Sequence, residues 1–250
     1  LTKYNTSFVP VDSEHFSIFY GLKGNKISNI DKMYLTASGG PLNNVPKSKF
    51  KKVKISEAIK HPNWKMGKKI SVDSATMMNK ALEIIEAKYL FNLRNDQINA
   101  VIHPESIIHA AINYYDNVSI SILNEPDMII PISYLLKVNN NINNNKNIFQ
   151  KLNKQSLTIH KINLNKFPAI KLAYKVMEIG GLAPHIFNYS NEVLVNHFLN
   201  RKIRFLDIVK YNEITLNKFL KSKKNVNRPN LKDIHNSNLW INKNIFLGKI

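Results

Sequence analysis

The amino-acid sequence predicts an α/β (α+β) protein, in which a mixed-sheet domain with flanking helices is followed by a small C-terminal helical bundle. Short apolar segments bounded by turn residues indicate strands in the first half of the chain. A long segment with helical spacing lies between these strands, and after about residue 168 the spacing of apolar residues is helical throughout. Strands interleaved with helices are typical of a sheet covered by helices.

One strand is predicted over residues 32–37, which lead into the turn sequence SGGP at 38–41. Glycine and proline interrupt regular structure, so the strand is expected to end there. Alternating or β-branched residues predict further strands at residues 6–11, 98–102 and 118–123. The longest helix is predicted over residues 75–91.

The sequence predicts three consecutive regions. Residues 1–136 hold nearly all the unusual polar clusters and form the predicted catalytic domain. Residues 137–166 begin with an Asn-rich, low-complexity stretch that is typical of a linker. Residues 167–250 form the predicted helical domain, and Gly180-Gly181 is expected to end its first helix. The helices predicted in this domain cover residues 169–179, 191–199 and 205–219.

The composition excludes several kinds of site. With no cysteine among 250 residues, the chain has no disulfide, thiolate metal site or cysteine nucleophile. No apolar run approaches the roughly 18–20 residues that cross a bilayer, so we expect no membrane partner. The absence of cysteine fits a reducing cytoplasm, and we expect a cytoplasmic protein. The sequence opens at Leu1 without a methionine or an apolar signal segment, and we expect it to be a fragment of a longer chain.

The net charge of +19 raises the question of an anionic partner. The basic residues are spread along the chain, with no arginine-rich arm and no helix that is basic on one face. We therefore interpret the charge as a bias of composition and expect no nucleic-acid partner. A moderate positive field would also suit a phosphorylated substrate.

Two carboxylates stand two residues apart, at Asp12 and Glu14. On an extended segment such side chains point to the same side, so both can face one point. Carboxylates held close together repel each other unless a cation lies between them. A divalent metal or a lysine would serve, and the alternative is a solvated acidic strand end.

The predicted helix 75–91 carries an unusual polar stripe. Its members follow the spacing of one helix face, and they are Thr76, Asn79, Lys80, Glu83 and Glu86. Ser71 and Ser74 precede them, and hydroxyls near a helix N-terminus bind phosphate together with the helix dipole. A carboxylate one turn beyond Lys80 would supply a third metal ligand. The alternative is the ordinary polar face of a surface helix.

Residues 61–69, HPNWKMGKK, are predicted to form a loop with apolar side chains. Exposed Trp and Met side chains favour a lid that closes over a ligand. The alternative is a loop that Trp64 anchors in the core. A fourth cluster contains His103 and His109, whose spacing matches no usual zinc pattern, so we interpret both histidines as structural.

Six segments of the sequence, taken together in chain order, carry a resemblance to a known family. They are VDSEH at 11–15, SGGP at 38–41, HPNWKMG at 61–67, KISVDSATMMNK at 69–80, IHP at 102–104 and EPDM at 125–128. The order of these segments and their amino-acid sequences closely resemble those of the 1-deoxy-D-xylulose 5-phosphate reductoisomerase family. The resemblance is nearly continuous from about residue 9 to 136 and resumes more weakly at 167–173 and 188–192.

The resemblance implies a metal site, a substrate site and a lid. Asp12, Glu14 and Glu83 match the family's ligands for Mn²⁺ or Mg²⁺ and would be its catalytic carboxylates. Trp64 and Met66 would form the lid, with His61 at its hinge, and Gly67 would contact NADPH. The substrate-binding residues that the resemblance implies are Ser13, Glu14, Ser38, His61, Ser74, Asn79, Lys80 and Glu83.

The resemblance also implies an activity and a homodimer. The family converts 1-deoxy-D-xylulose 5-phosphate to 2-C-methyl-D-erythritol 4-phosphate, with NADPH as the reductant. Its Gly-rich dinucleotide-binding domain has no counterpart in these 250 residues, so we expect weak NADPH binding and little turnover by this chain alone. Two alternatives remain, a basic nucleic-acid-associated protein on a retired enzyme scaffold and a metal-dependent sugar-phosphate lyase or phosphatase.

Overall fold

The computed structural model describes residues 4, 6, 8–62, 64, 66–137, 148, 152 and 156–245. The chain groups into two compact units. The sheet unit consists of Leu1–Ser38 and Leu90–Ile162, and the helical unit consists of Gly39–Tyr89 and Asn163–Ile250. These units alternate along the chain, and the division into three consecutive regions stays a prediction. Much of the predicted linker lies outside the described residues.

Five strands are described in the sheet unit, namely β1 (Ile30–Ala37), β2 (Ile98–Ile102), β3 (Ile108–Tyr114), β4 (Ser119–Leu123) and β5 (His160–Lys161). They form one sheet with the order β4-β3-β1-β2-β5. β1 and β2 are parallel, and the other neighbouring pairs are antiparallel. The sheet is therefore mixed, as the sequence predicts.

Strand β1 runs through the middle of the sheet and is strongly apolar. Ile30, Met33 and Leu35 are completely buried. Met33 pairs with Ile98 of β2 on one side and with Ile112 of β3 on the other. Apolar side chains thus continue across three strands, and burying them away from water stabilises this arrangement. The strand predicted at residues 32–37 is confirmed and begins two residues earlier.

The sheet unit includes the helices α1 (Ser13–Gly21) and α5 (Ile129–Leu136). Helix α1 lies close to the sheet, since a Cβ atom at Gly21 would lie 3.2 Å from Cδ1 of Ile122. The strand predicted at residues 6–11 is wrong, because residues 6 and 8–11 form no strand. Pro10 has no N–H to donate to a sheet, and Asp12 caps the helix that follows.

The helical unit contains α2 (Ile55–Ala58), α3 (Lys68–Thr76) and nearly all of α4 (Met78–Phe91). Its later helices are α6 (Pro168–Ile179), α7 (Ala183–Leu199), α8 (Phe205–Lys221) and α9 (Leu231–Asn244). Helix α7 contacts α3, α6, α8 and α9, so it is central to this unit. None of the helices in the described part of the chain combines the length and the apolarity needed to cross a bilayer.

The predicted helix 75–91 is divided into α3 and α4. Met77 separates them with a left-handed backbone, at a φ of 61°. Thr76 therefore ends α3 and does not head a continuous polar stripe. Methionine is a good helix former, so helical spacing and propensity alone predict no break at this position.

The other helix predictions differ from the structure mainly at the ends of the helices. The first and third predicted C-terminal helices are confirmed to within two residues, as α6 and α8. The second begins eight residues earlier than predicted, at Ala183, where a proline in the first turn is compatible with a helix start. Strands β3 and β5 and helices α1, α2, α5 and α9 were not predicted from the sequence.

Candidate active site

The first group of predicted site residues lies at the start of α1, in the sheet unit. Asp12 is the N-cap of this helix, and its Oδ1 accepts a 3.3 Å hydrogen bond from the N–H of Glu14. Oε2 of Glu14 accepts a 2.5 Å hydrogen bond from Oγ of Ser13. A carboxylate oxygen of Asp12 and one of Glu14 lie within 4.8 Å of each other. Two acidic groups therefore meet at one helix end.

Asp12 and Glu14 were predicted to lie on an extended segment, but a different local structure brings their carboxylates together. Both carboxylates lie at a helix N-terminus, where the unpaired N–H groups and the positive end of the helix dipole favour negative charge. Nδ1 of His15 also lies 3.8 Å from Oδ1 of Asp12. Helix capping, and not the alternation of a strand, brings the two acids together.

The second group lies in the first two turns of α4, in the helical unit. Nδ2 of Asn79 donates to Oε1 of Glu83 at 2.5 Å, and Nζ of Lys80 pairs closely with Oε2 of the same carboxylate. Lys80 is 4% exposed and Glu83 is 3% exposed. A buried charge pair is tolerated when its members are matched and hydrogen-bonded. The amide, ammonium and carboxylate of the predicted stripe are thus brought into direct contact.

The two ends of the predicted stripe do not belong to this group. Oγ1 of Thr76 donates to main-chain oxygens of its own helix, those of Val72 and Asp73. Glu86 is exposed to solvent. Ser71 is buried, and its hydroxyl donates to the main-chain oxygen of Gly67 at 3.0 Å. Thr76 and Ser71 therefore use their hydroxyls to satisfy the backbone of α3.

Ser74 lies near the C-terminal end of α3, directly beside the Gly39-Gly40 turn. Gly40 has a φ of +65°, and a Cβ atom on it would lie 2.5 Å from the main-chain oxygen of Ser74 and 3.0 Å from its Oγ. Only glycine permits both this backbone conformation and this close approach. Gly40 was predicted only as a turn residue, and its contact with Ser74 was not predicted. Two adjacent glycines before a proline were the available signal.

Ser74 was also predicted to lie near the start of a helix, and this is wrong. It precedes the start of α4 by four residues, on the other side of the break at Met77. Asn79 and Lys80 are the residues in the first turn of α4, where the helix dipole is positive. Ser38, the remaining predicted substrate residue, directly follows β1 in the sheet unit and is half-buried.

The predicted lid begins at His61 in the helical unit. The N–H of Trp64 donates to Nδ1 of His61 at 2.9 Å, and burial lowers the pKa of this imidazole. Trp64 and Met66 are half-buried, and Gly67 is exposed at the start of α3. Asn63 and Lys65 lie outside the described residues. Whether these residues close over a ligand stays a prediction.

The two histidines after β2 have structural partners in the sheet unit. His103 is completely buried, and its Nδ1 lies 2.8 Å from the main-chain oxygen of Thr158 while its Nε2 accepts from the N–H of Ile107. Nε2 of His109 lies 3.3 Å from the main-chain oxygen of Asn124. Nδ1 of His103 also lies 3.0 Å from Oε2 of Glu105. These ring nitrogens thus contact main-chain groups and one carboxylate, and the structural interpretation of both histidines stays a prediction.

Two family models match the sequence. The model described as the 1-deoxy-D-xylulose 5-phosphate reductoisomerase C-terminal domain matches residues 8–91. The model described as the DXP reductoisomerase C-terminal domain matches residues 123–244. The chain belongs to the 1-deoxy-D-xylulose 5-phosphate reductoisomerase family.

Relatives from this reductoisomerase family are similar over most of the chain. The 1-deoxy-D-xylulose 5-phosphate reductoisomerase of Clostridium novyi is 46% identical over 218 residues, which are 86% of this chain and 56% of the relative. That of a Thermoanaerobacter species is 43% identical over 235 residues, which are 94% of this chain and 60% of the relative. The chain thus spans somewhat more than half the length of these reductoisomerases.

Solved reductoisomerase structures share the fold. A crystal structure of DOX-P reductoisomerase in complex with NADPH, fosmidomycin and magnesium matches 97% of this chain and 63% of its own, with 32% identity and a TM-score of 0.86. The enzyme from Zymomonas mobilis in complex with NADPH matches 96% of this chain and 61% of its own, with 33% identity and a TM-score of 0.83. The predicted α/β fold class is confirmed by this similarity.

Proposed function

We propose that this chain supplies the metal-binding and substrate-binding part of a 1-deoxy-D-xylulose 5-phosphate reductoisomerase. Such an enzyme rearranges 1-deoxy-D-xylulose 5-phosphate and reduces it with NADPH to 2-C-methyl-D-erythritol 4-phosphate, a step in isoprenoid precursor synthesis. Membership of the family supports the reaction. The observation that carries the proposal is the buried contact of Asn79, Lys80 and Glu83, because it combines anion-binding groups with a metal-binding carboxylate.

The proposed metal ligands are Asp12, Glu14 and Glu83, which offer carboxylate oxygens only. Hard divalent cations such as Mg²⁺ and Mn²⁺ prefer such ligands, and a set of three leaves coordination positions open. The repulsion between Asp12 and Glu14 at the start of α1 would be relieved by a cation. When bound, the metal would polarise the ketone and hydroxyl oxygens of the substrate and stabilise the negative charge that develops on them.

The proposed phosphate-binding groups are the side chains of Ser38, Ser74, Asn79 and Lys80. The ammonium of Lys80 supplies positive charge, while the amide and hydroxyls supply hydrogen-bond donors. Ser13 and Glu14 would contact the substrate on its metal side. Because Lys80 also neutralises Glu83, the same ammonium would hold the anion and set the charge of the metal ligand.

The remaining assignments concern the lid and the cofactor. His61 would lie at the lid hinge, Trp64 and Met66 would cover the substrate, and Gly67 would contact NADPH. A closed lid excludes water while the reactive aldehyde is present, which prevents side reactions. The half-burial of Trp64 and Met66 supports this role, since both side chains retain surface with which to cover a ligand.

We further propose a homodimer in the cytoplasm. Helix α5 exposes several large apolar side chains, a pattern that is typical of protein interfaces. They are Ile129, Ile132, Leu135 and Leu136, at 52%, 42%, 44% and 65% exposure. Strand β4 lies at the edge of the sheet that the described residues of this unit form. Sedimentation of a Leu136→Glu variant should show a shift towards monomer, whereas an unchanged dimer would place the interface elsewhere.

Calorimetry on this chain tests the proposed function. We expect Mn²⁺ to bind, 1-deoxy-D-xylulose 5-phosphate to bind in its presence, and a Lys80→Gln variant to lose most of the affinity for the substrate. Absence of substrate binding to the folded chain would contradict the proposal. Release of phosphate without NADPH would instead favour the lyase or phosphatase. Salt-sensitive binding of DNA or RNA that is unaffected by Glu83→Gln would favour the nucleic-acid-associated protein.

Turnover tests the part of the proposal that concerns NADPH. We expect the 250 residues alone to oxidise NADPH slowly or not at all with the substrate present. Full turnover would refute the expectation that a separate dinucleotide-binding domain is needed.

A further inference from the structure

Asp73 is a charged side chain in the interior of the helical unit, only 1% exposed. Its Oδ1 accepts a 2.8 Å hydrogen bond from Nδ2 of Asn191, and its Oδ2 lies 2.7 Å from Nζ of Lys69. Burial raises the pKa of this carboxyl, while Lys69 and Asn191 act in the opposite direction. A carboxylate is retained in such a place only when its partners offset the loss of hydration.

The two partners differ in how firmly they can hold Asp73. The Lys69 side chain is 45% exposed and lies on the same helix, α3, one turn earlier. Asn191 is completely buried and belongs to α7. A hydrogen bond between two buried side chains on different helices fixes their relative position, whereas an exposed lysine follows its own helix. The contact with Asn191 is therefore the one that joins α3 to α7.

Asn191 satisfies only part of its own hydrogen-bonding capacity. Its Oδ1 is buried and has no hydrogen-bond partner among the described residues. A buried amide oxygen without a partner is unfavourable, so packing alone would favour an apolar residue at this position. The hydrogen bond that the Asn191 amide donates to Asp73 explains why an asparagine is present at this position.

Helix α3 is confined on its other side by the Gly39-Gly40 turn. Ser74 follows Asp73 directly, and its main-chain oxygen lies so close to Gly40 that a Cβ atom there would be 2.5 Å away. Successive residues of a helix are rotated by about 100° around its axis, so Asp73 and Ser74 face different neighbours. Both residues nevertheless move together when the helix rotates or shifts. A rotation or shift of α3 would therefore displace the Ser74 hydroxyl.

We propose that Asp73 and Asn191 are positioning residues, whose buried hydrogen bond holds α3 against α7 and thereby orients Ser74 for the substrate. This inference rests on the proposed function, in which Ser74 contacts the phosphorylated substrate. It gives the C-terminal helices a part in the substrate site, although Asn191 itself does not touch the substrate. Asp73 affects the substrate site by fixing the position of Ser74, the next residue in the chain. Asn191 affects the site by holding Asp73.

An exchange of the two side chains tests the proposal. The variants are Asn191→Asp, Asp73→Asn and the double variant that carries both changes. Asn191→Asp places two carboxylates opposite each other, whereas the double variant restores one amide and one carboxylate with the donor reversed. We expect Asn191→Asp to weaken binding of 1-deoxy-D-xylulose 5-phosphate, measured by calorimetry with saturating Mg²⁺, by at least about tenfold. The double variant should recover most of this loss.

Two controls separate positioning from general stability. Asn212 of α8 is completely buried, and its Nδ2 donates to the main-chain oxygen of Phe187 of α7 at 2.8 Å. Asn212→Ala should therefore weaken the same helix bundle through a hydrogen bond that does not involve α3. It should lower the melting temperature and leave substrate affinity unchanged when measured well below that temperature. The proposal is overturned if Asn191→Asp behaves like Asn212→Ala, or if the double variant binds no better than Asn191→Asp.

Ser74→Ala distinguishes failure of this inference from failure of the proposed function. If Ser74→Ala binds substrate as tightly as the parent chain, the proposed substrate site is wrong. If Ser74→Ala weakens binding and Asn191→Asp does not, only the positioning role is wrong. Hydrogen exchange of the α3 amides provides a measurement that needs no ligand. Asp73→Ala removes the acceptor of the Asn191 hydrogen bond, so it should accelerate exchange there selectively. Unchanged exchange would contradict the proposal even if an Asn191 variant failed to fold.

Discussion

Asn79 and Glu83 lie one turn apart at the start of α4, and the amide of Asn79 donates to the carboxylate of Glu83 over 2.5 Å. The second oxygen of that carboxylate pairs with Lys80. Glu83 is therefore held from both sides by groups that are also proposed to bind the substrate. A substitution of any one of these three residues should therefore alter the charge and the hydrogen-bond geometry around the other two.

Replacing Glu83 with Gln should destabilise the protein and weaken its metal site. The variant removes the carboxylate that pairs with the buried ammonium of Lys80, and we expect the free energy of unfolding in urea to fall by about 2–4 kcal/mol. Mn²⁺ affinity should fall at least about tenfold, because a charged ligand becomes a neutral amide. Glu86→Gln, on the exposed face of the same helix, should change stability by less than about 0.5 kcal/mol. Equal effects of the two changes would contradict this role.

Replacing Asp12 with Asn should separate metal binding from folding. Asparagine caps helices about as well as aspartate, so the melting temperature should stay nearly constant while Mn²⁺ affinity falls. Asp127→Asn is the matched control, because Oδ1 of Asp127 accepts from the N–H of Ile129 at the start of α5 in the same way. That variant should retain parental metal affinity. If both variants bind Mn²⁺ like the parent chain, Asp12 is not a ligand.

Replacing Gly40 with Ala should disturb the substrate site through Ser74. The added Cβ would lie 2.5 Å from the main-chain oxygen of Ser74, and the φ of +65° is strained for alanine. Gly24→Ala has a similar backbone strain at a φ of +78° but nothing within 4 Å of its Cβ, so it isolates the conformational cost. Both should lose about 1–2 kcal/mol of stability from the left-handed backbone. Only Gly40→Ala should weaken substrate binding, as measured by calorimetry. Equal substrate affinity of the Gly40→Ala and Gly24→Ala variants would contradict this prediction.

The His61 to Trp64 contact should depend on pH. Burial lowers the pKa of His61 below its ordinary value of 6.5, so the unfolded chain binds this proton more readily than the folded chain does. The stability linked to neutral His61 is therefore complete above about pH 7, declines as the pH falls through 6.5, and is lost below the folded-state pKa. Protonation of Nδ1 also removes the acceptor for the N–H of Trp64.

Fluorescence of Trp64 measures this change in a Trp240→Phe background, which leaves one tryptophan. We expect a reversible transition with a midpoint below pH 6.5, the ordinary value for histidine. His61→Asn should abolish the transition, because an amide has no proton to gain in this range. A transition that persists in His61→Asn would show that another group is responsible.

Several elements could be predicted because their signals are local. Strand β1 combines β-branched and apolar residues with a following Gly-Gly-Pro turn, and α6 combines helical spacing with Gly180 at its end. Strand β5 is only two residues long and exists through its pairing with β2. Helix α9 is polar on average, but it begins with a capping box of Asn230 and Asp233, a local signal that was not used. Strand β5 by itself carries no pattern that a single sequence segment could reveal.

The candidate site was predictable in its residue types and less so in its arrangement. Capping of α1 by Asp12 and the break at Met77 both changed the local structure that helical or strand spacing implied. Asp12 was interpreted as a metal ligand or as part of a solvated acidic strand end, although aspartate before a helical segment is also a common N-cap. The left-handed backbone of Met77 has no sequence signal of its own, because methionine favours helices.

By itself, the sequence determined the family, the fold class and the kinds of groups available, since these follow from ordered motifs and from the periodicity of apolar residues. The tertiary structure alone decided that Asp73 meets Asn191 across 118 positions of the chain and that Gly40 lies against Ser74. Periodicity reports which face of an element is buried but not what it is buried against. The partner of each buried face is decided by tertiary packing. A buried carboxylate such as Asp73 needs a specific hydrogen-bond donor. A close backbone contact such as that at Gly40 needs a residue without a side chain.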